Sequence, residues 1–299
     1  MTAASLKNEA ASLRGIAMGA AAYSTFAIHD VLVKGVIFDL AVAQILFVRS
    51  LVIVIGCLVA TRGRVVGDLQ RSSSKGLIVL RAALMLGAWC LYYAMGKYLQ
   101  LAEMTTLYYV APIITLVLAA IFLGEKLTVS RVGAALLGFA GVVVACNPAG
   151  LHIGGPELAV LGAATLWALA MIVMRSIPKE DSALAQVLGV NAINVVVMGI
   201  ASIFVWQAMD LRTFSMVVLT GVLGGAAQYA LVHAARLVPA GVLGTVEYSA
   251  LIWAFVFGWL FWQEIPAAYV YAGALMIVVA GAYIAWAERR RRDTILDTP

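Results

Sequence analysis

The sequence predicts an all-α integral membrane protein with ten transmembrane helices in two inverted five-helix repeats. Three observations predict it. First, 64% of the 299 residues are hydrophobic and only 12% are charged, whereas soluble domains are roughly half apolar and a quarter charged. Second, the apolar residues fall into ten continuous runs, at roughly 14–34, 39–61, 76–99, 104–123, 128–147, 155–175, 183–207, 213–235, 240–263 and 267–287. Such runs span a hydrocarbon core of about 30 Å as helices. Barrel strands would alternate apolar and polar residues, and these do not; only helices then satisfy every backbone group within the segment. Third, one stretch is written twice. Leu107 to Leu127 reads LYYVAPIITLVLAAIFLGEKL, and Val246 to Ile265 reads VEYSALIWAFVFGWLFWQEI. A shift of 139 residues places Tyr109 on Tyr248, Ala111 on Ala250, Ile113 on Ile252, Phe122 on Phe261 and Glu125 on Glu264.

Each element follows in chain order. The N-terminus, MTAASLKNEAASLR, is polar and carries no cleavage-site pattern, so the first helix is read as retained. Loops between runs are short. With the N-terminus in the cytoplasm, the inside segments hold Lys7, Arg14, Arg62, Arg64, Arg71, Lys75, Lys126, Arg131, Arg175, Lys179, Arg236 and Arg289 to Arg292. The outside loops hold little beyond Lys34 and Arg212. This asymmetry places both termini in the cytoplasm. The Arg289–Arg292 run reads as a stop-transfer anchor against anionic headgroups, and Glu125 and Glu264 as helix exits at the headgroups. Further repeat matches pair Gly19-Ala20-Ala21 with Gly162-Ala163-Ala164, and Ala43-Gln44 with Ala185-Gln186. The halves are residues 1–147 and residues 148–299, the latter with a basic tail. Five helices is an odd number, so the second half runs upside down, which puts a substrate site near the midplane.

The succession Arg81…Tyr98-Leu99…Ala102…Ala111-Pro112…Leu123-Gly124-Glu125-Lys126-Leu127 resembles the EamA domain of the drug/metabolite transporter superfamily. Ala240-Gly241, Tyr248 and Trp262-Gln263-Glu264 resemble it again, although Ile265-Pro266 replaces the Lys-Leu of the first copy. The resemblance covers nearly the whole chain and is most like the YddG-type aromatic amino acid exporters. It implies ten helices, two inverted halves, cytoplasmic termini, a central cavity and a bacterial inner-membrane location.

The residues themselves exclude several functions. The positive charges sit in short loops rather than on a soluble face, which excludes nucleic acid as a partner. No HExxH, GxSxG or phosphate-binding glycine loop appears, so no enzyme is expected. His29, His152 and His233 are scattered and Cys57, Cys90 and Cys146 lie in or at the ends of apolar runs, so neither a metal nor a cofactor is called for. No nucleotide-binding domain is read in the sequence, so uphill transport is expected to use an ion gradient, a substrate gradient or a partner. The expected partners are a small-molecule substrate, an amino acid or related metabolite, and the bilayer.

Ionisable groups inside the membrane are costly and usually face the bundle interior. Arg49 lies about ten residues from either end of its helix, roughly 15 Å from each boundary. It is read either as a site for a substrate carboxylate or as a structural arginine paired with an acid such as Asp30. Asn191 aligns with it in the second half. Glu247, about two turns into the ninth helix, is a coupling group or a snorkelling edge residue. His29 and Asp30 form a proton relay or a polar helix end. Lys97 and His233 read as interfacial, and Arg81 as a positive-inside anchor. Trp89, Tyr92, Tyr93, Tyr108, Tyr109, Trp167, Tyr229, Tyr248 and Trp253 stack on a flat substrate and hold an ammonium if their helical faces point inward. Trp206, Trp259, Trp262 and Trp286 belong to the interfacial belt. The amides Gln44, Asn191, Asn194 and Gln228 bond substrate or a neighbouring helix, and small-residue pairs such as Gly15/Gly19 and Gly221/Gly225 bring helices close. Pro112 kinks the fourth helix, opposite a ninth helix made pliable by Gly241 and Gly244.

The expected function is a secondary transporter exporting small amphipathic metabolites, aromatic amino acids foremost, by alternating access. The expected substrate contacts are Gln44, Arg49, Tyr92, Trp167, Asn191, Gln228 and Tyr248, with Glu247 as the coupling group and Pro112, Gly241 and Gly244 as gating points. A broad drug or metabolite exporter and an uncoupled facilitator or channel of the same fold stand beside this reading.

Overall fold

Apolar runs with good helix formers and no internal breaker become long helices, and the punctuation between them sets their ends. A computed structural model describes residues 3–122, 124, 129–145, 154–238, 243, 246–247 and 249–296. It holds α1 (Ala3–Val36), α2 (Val42–Thr61), α3 (Arg64–Arg71), α4 (Lys75–Met95), α5 (Leu101–Tyr108) and α6 (Ala111–Phe122). α7 (Val129–Ala145) completes the first half of the chain, and the second half adds α8 (Gly155–Ser176), α9 (Ala183–Ile203), α10 (Leu211–Leu237), α11 (Ser249–Trp262) and α12 (Ala268–Leu296). No strand occurs among the described residues. Among the described residues, seven stretches are long and apolar enough to cross a membrane: Leu13–Val36, Val42–Thr61, Lys75–Met95, Leu101–Phe122, Gly155–Ser176, Ala183–Ile203 and Leu211–Leu237. Shorter apolar helices at Val132–Ala145, Ala250–Trp262 and Ala268–Tyr283 fall on the fifth, ninth and tenth runs.

The fourth run is broken where proline dictates. Pro112 has no N–H, and its ring collides with the carbonyl four residues back. α5 therefore stops at Tyr108, Val110 N–H turns back to Leu107 O at 3.3 Å, and α6 restarts with Ile113 and Ile114 bonded to Val110 O. Two features went unforeseen. Arg64–Arg71 forms a short helix packed on α9 through Leu69. α12 also runs through the arginines to Leu296, because no glycine or proline intervenes to stop it. At the other ends, Ser182 Oγ accepts Ala185 N–H and Asp210 Oδ1 accepts Thr213 N–H at 2.7 Å. Hydrogen bonds from Thr213 hold the exposed Asp210 carboxyl below the usual carboxylate range.

Four long seams carry the packing: α1 on α10, α7 on α12, α4 on α8 and α2 on α9. Each joins a helix of the first half of the chain to one of the second. Close approach is permitted by glycine. A Cβ at Gly221 would lie 2.6 Å from Val52 Cβ and 2.9 Å from Arg49 O, which fixes how near α10 comes to α2. Gly141 and Gly273 play the same part between α7 and α12, where a Cβ at Gly141 would meet Gly273 O at 2.8 Å.

Three charged residues depart from the sequence reading. Arg81 is not a headgroup anchor: it is buried, and its Nη1 donates to Gln186 Oε1 on α9 at 3.3 Å. Lys34 is not a loop cation, and Glu264 does not stop at open headgroups. The two form an ion pair, and Lys34 is only 5% exposed. In each case a neighbouring helix supplies the partner that water or lipid was expected to supply.

Candidate functional site

The bundle encloses a cavity with about 710 Å³ of empty space, its mouth included. α1 contributes Tyr23, Phe26, Ala27 and Asp30, spaced i, i+3, i+4, i+7 and therefore on one helical face. α4 contributes Ala88, Trp89, Tyr92 and Tyr93; α5 contributes Leu101, Thr105 and Tyr108, and Tyr109 follows in the break before Pro112. α8 contributes Trp167, and Glu247, Ala250 and Ala254 close the wall. The Pro112 break thus turns Tyr108 and Tyr109 toward the same space.

The aromatic rings form a connected box. Tyr92 and Tyr108 have centroids 5.0 Å apart, Tyr108 and Trp167 6.3 Å, and Phe26 meets Trp167 edge-on at 6.2 Å. Such arrangements present π faces and edges to a guest. Two carboxylates enter the box. Glu247 is 6% exposed and accepts a hydrogen bond from Tyr23 OH at 3.1 Å. The Trp167 indole N–H is buried without a well-formed hydrogen bond and lies near Glu247. Asp30 contacts His29 Nδ1 at 3.0 Å, and His29 Nε2 contacts Tyr93 OH at 3.3 Å. No lysine or arginine lines the cavity among the described residues.

Of the residues expected to touch substrate, Tyr92 and Trp167 line the cavity, as does the proposed coupling group Glu247. Pro112 sits at the helix break. Tyr248, Gly241 and Gly244 lie outside the described residues. Four others are placed elsewhere. Gln44 is spent on backbone: its Nε2 donates to Gln207 O at 2.7 Å and its Oε1 accepts Gln207 N–H at 2.9 Å. Asn191 Nδ2 donates to Gln228 Oε1 at 2.9 Å and to Val187 O at 2.8 Å, binding α9 to α10. Arg49 is fully buried behind the wall, its Cζ 4.0 Å from the Trp89 ring centroid. Its three guanidinium nitrogens make no hydrogen bond among the described residues. Gly224 makes room for it, since a Cβ there would sit 3.0 Å from Arg49 Nε. Nor is Arg49 paired with Asp30, which is held by His29. Two expected aromatics also face elsewhere. Trp253 stacks on Phe257 and donates to Ser24 Oγ at 3.2 Å, and Tyr229 packs on His233. Tyr23 and Phe26 escaped the sequence reading, although their spacing with Asp30 on one face was there to be seen.

One end of the cavity is shut. Lys34 and Glu264 pair above it, Leu101 N–H donates to Glu264 Oε2 at 2.9 Å, and Lys34 Nζ donates to Leu99 O at 3.4 Å. Lys34 also lies 5.4 Å from the Trp262 ring centroid. This clasp ties α1 and the end of α11 to the start of α5. Beneath it a smaller void of about 260 Å³ shares Asp30, Tyr92, Tyr93 and Leu101 with the main cavity. At the other end of α1, where Gly15 meets Leu237 and Val238, an open cleft carries Arg175, Lys179 and Arg236.

A multi-pass helical membrane protein with an enclosed amphipathic cavity has the form of a small-molecule transporter. The chain belongs to the EamA-like transporter family, whose pattern matches residues 13–146 and again residues 155–286. A pseudopaline exporter of Pseudomonas aeruginosa is 26% identical over 277 residues, 89% of this chain and 94% of its own. A riboflavin transporter of Vibrio cholerae is 23% identical over 211 residues, 70% of each chain. An S-adenosylmethionine uptake transporter of Rickettsia bellii is 23% identical over 195 residues, 64% of this chain and 67% of its own. A solved crystal structure with 19% identity shares the fold at a TM-score of 0.68, over 97% of this chain and 99% of that one.

Proposed function

We propose that the protein is a secondary transporter of the bacterial inner membrane that exports small amphipathic metabolites, aromatic amino acids foremost, by alternating access. In this reading ten spans form two inverted halves, residues 1–147 and 148–299, with both termini in the cytoplasm. The observation that carries it is a cavity walled by aromatic rings and two carboxylates, shut at one end by the Lys34–Glu264 clasp and lying between helices of both halves. The twofold match to one family pattern supports the repeat. So does the geometry of two helix ends. Gly124 and Gln263, which the 139-residue shift superposes, both take positive φ, 68° and 55°. The seams that join opposite halves give each half a surface to rock against. Relatives named for both export and uptake leave the direction to this reading alone.

The test is uptake of labelled tryptophan or phenylalanine into proteoliposomes, with and without an imposed pH gradient. Saturable uptake above empty liposomes, accelerated by the gradient and losing that acceleration in Glu247→Gln, is expected. Saturable uptake indifferent to any ion gradient returns the facilitator of the same fold. Absence of uptake for every aromatic amino acid overturns the substrate assignment.

A further inference from the structure

We propose that, among the amphipathic metabolites it takes, the cavity holds an organic monocation, an aryl-alkylamine, more tightly than the parent amino acid, with Asp30 and Glu247 as the ammonium-binding groups. The inference rests on the transporter reading and names the substrate class of that same cavity.

An amino acid brings a carboxylate as well as an ammonium, and each needs a partner once removed from water. Among the described residues the lining supplies acids and no base. The central arginine was the obvious partner for a carboxylate, yet Trp89 covers it: the guanidinium stacks 4.0 Å from that ring, and Trp89, not Arg49, faces the cavity. The other nearby cation, Lys34, is already paired with Glu264. Neither acid has a lysine or arginine within ion-pair distance among the described residues, so an ammonium finds acceptors here and a carboxylate finds no cationic partner. The rings of Tyr92, Tyr108 and Trp167 line the same space, so π faces adjoin the two acids. Asp30, read from the sequence as part of a proton relay, a polar helix end or a partner for Arg49, is at 28% exposure on the cavity wall the more reachable of the two acids.

The experiment is competition binding on purified full-length protein, using tryptamine and phenethylamine against labelled tryptophan, and the reverse. Tryptamine is expected to bind at least about tenfold tighter than tryptophan, the worth of roughly one well-placed charge pair. Asp30→Asn and Glu247→Gln should each weaken tryptamine about tenfold or more, while Asp30→Glu, which keeps the charge, retains binding and controls for folding. Arg49→Met should leave tryptamine affinity within about threefold. Tighter binding of tryptophan than of tryptamine, lost in Arg49→Met, overturns the amine selectivity and leaves the transporter reading standing. Saturable binding of neither compound overturns both.

Discussion

Two buried polar regions lie side by side in this bundle, and they differ in what their polar atoms face. The seam between α2, α9 and α10 holds Arg49, Asn191 and Gln228, all deeply buried. The cavity between α1, α4, α5, α8 and α11 holds Asp30, Glu247 and a ring of tyrosines and tryptophans. In the seam, the amides bond each other and the backbone, and the guanidinium lies against Trp89. In the cavity, the acids face open space walled by aromatic rings. Burial of a polar group inside a membrane protein therefore marks a site only where a void adjoins it; otherwise it marks a joint between helices.

That contrast can be broken or sharpened by substitution. The largest effect is expected at Glu247. Glu247→Gln keeps the shape and the bond to Tyr23 but removes the charge, and gradient-driven initial uptake in proteoliposomes should fall about a hundredfold, roughly 2.7 kcal/mol, to the rate seen without a gradient. An equal fall in Arg49→Met would erase the distinction between cavity and seam. Next is Gln186→Leu, which strands the buried Arg81 guanidinium without its acceptor. It should cost about 2 kcal/mol, read as a lower apparent melting temperature in detergent, with substrate affinity unchanged.

Smaller still is Gln263→Gly. A glutamine held at φ 55° pays for its Cβ, and glycine at this helix end should gain about 1 kcal/mol of thermal stability. A loss there would mean that the glutamine side chain contributes more than its backbone strain costs. The smallest effect is predicted for the seam itself. Asn191→Leu combined with Gln228→Met replaces both members of a hydrogen-bonded pair with apolar groups of similar size, and substrate affinity should move by less than about twofold. A tenfold loss would return these amides to the binding site.

The sequence made the helices legible because continuous hydropathy and backbone satisfaction leave one solution in lipid. It also announced the break before Pro112. What it hid was orientation. Arg49 was recognisable as deep, but nothing in the chain said that Trp89 stands between it and the cavity. Gln44, Asn191 and Gln228 looked like ligands for the same reason: an amide on one helix does not disclose its partner on another. Lys34 was read as an outside-loop cation, Arg81 as a positive-inside anchor and Glu264 as a helix exit at the headgroups, and each has a partner across the bundle. By contrast, Tyr23, Phe26 and Asp30 share a helical face at a spacing readable from the sequence, and Trp167 and Tyr92 were found by depth and ring type alone.

The central claim is that the substrate path runs through the aromatic cavity and not through the Arg49 seam. It is tested most directly by single cysteines in a background with Cys57, Cys90 and Cys146 replaced by alanine, labelled with a small thiosulfonate reagent in the presence and absence of saturating substrate. Ala27→Cys, on the cavity wall, should react and be protected by substrate, whereas the buried Ser50→Cys, beside Arg49, should react in neither condition. Labelling of Ser50→Cys that substrate prevents, with Ala27→Cys indifferent to substrate, would contradict the account.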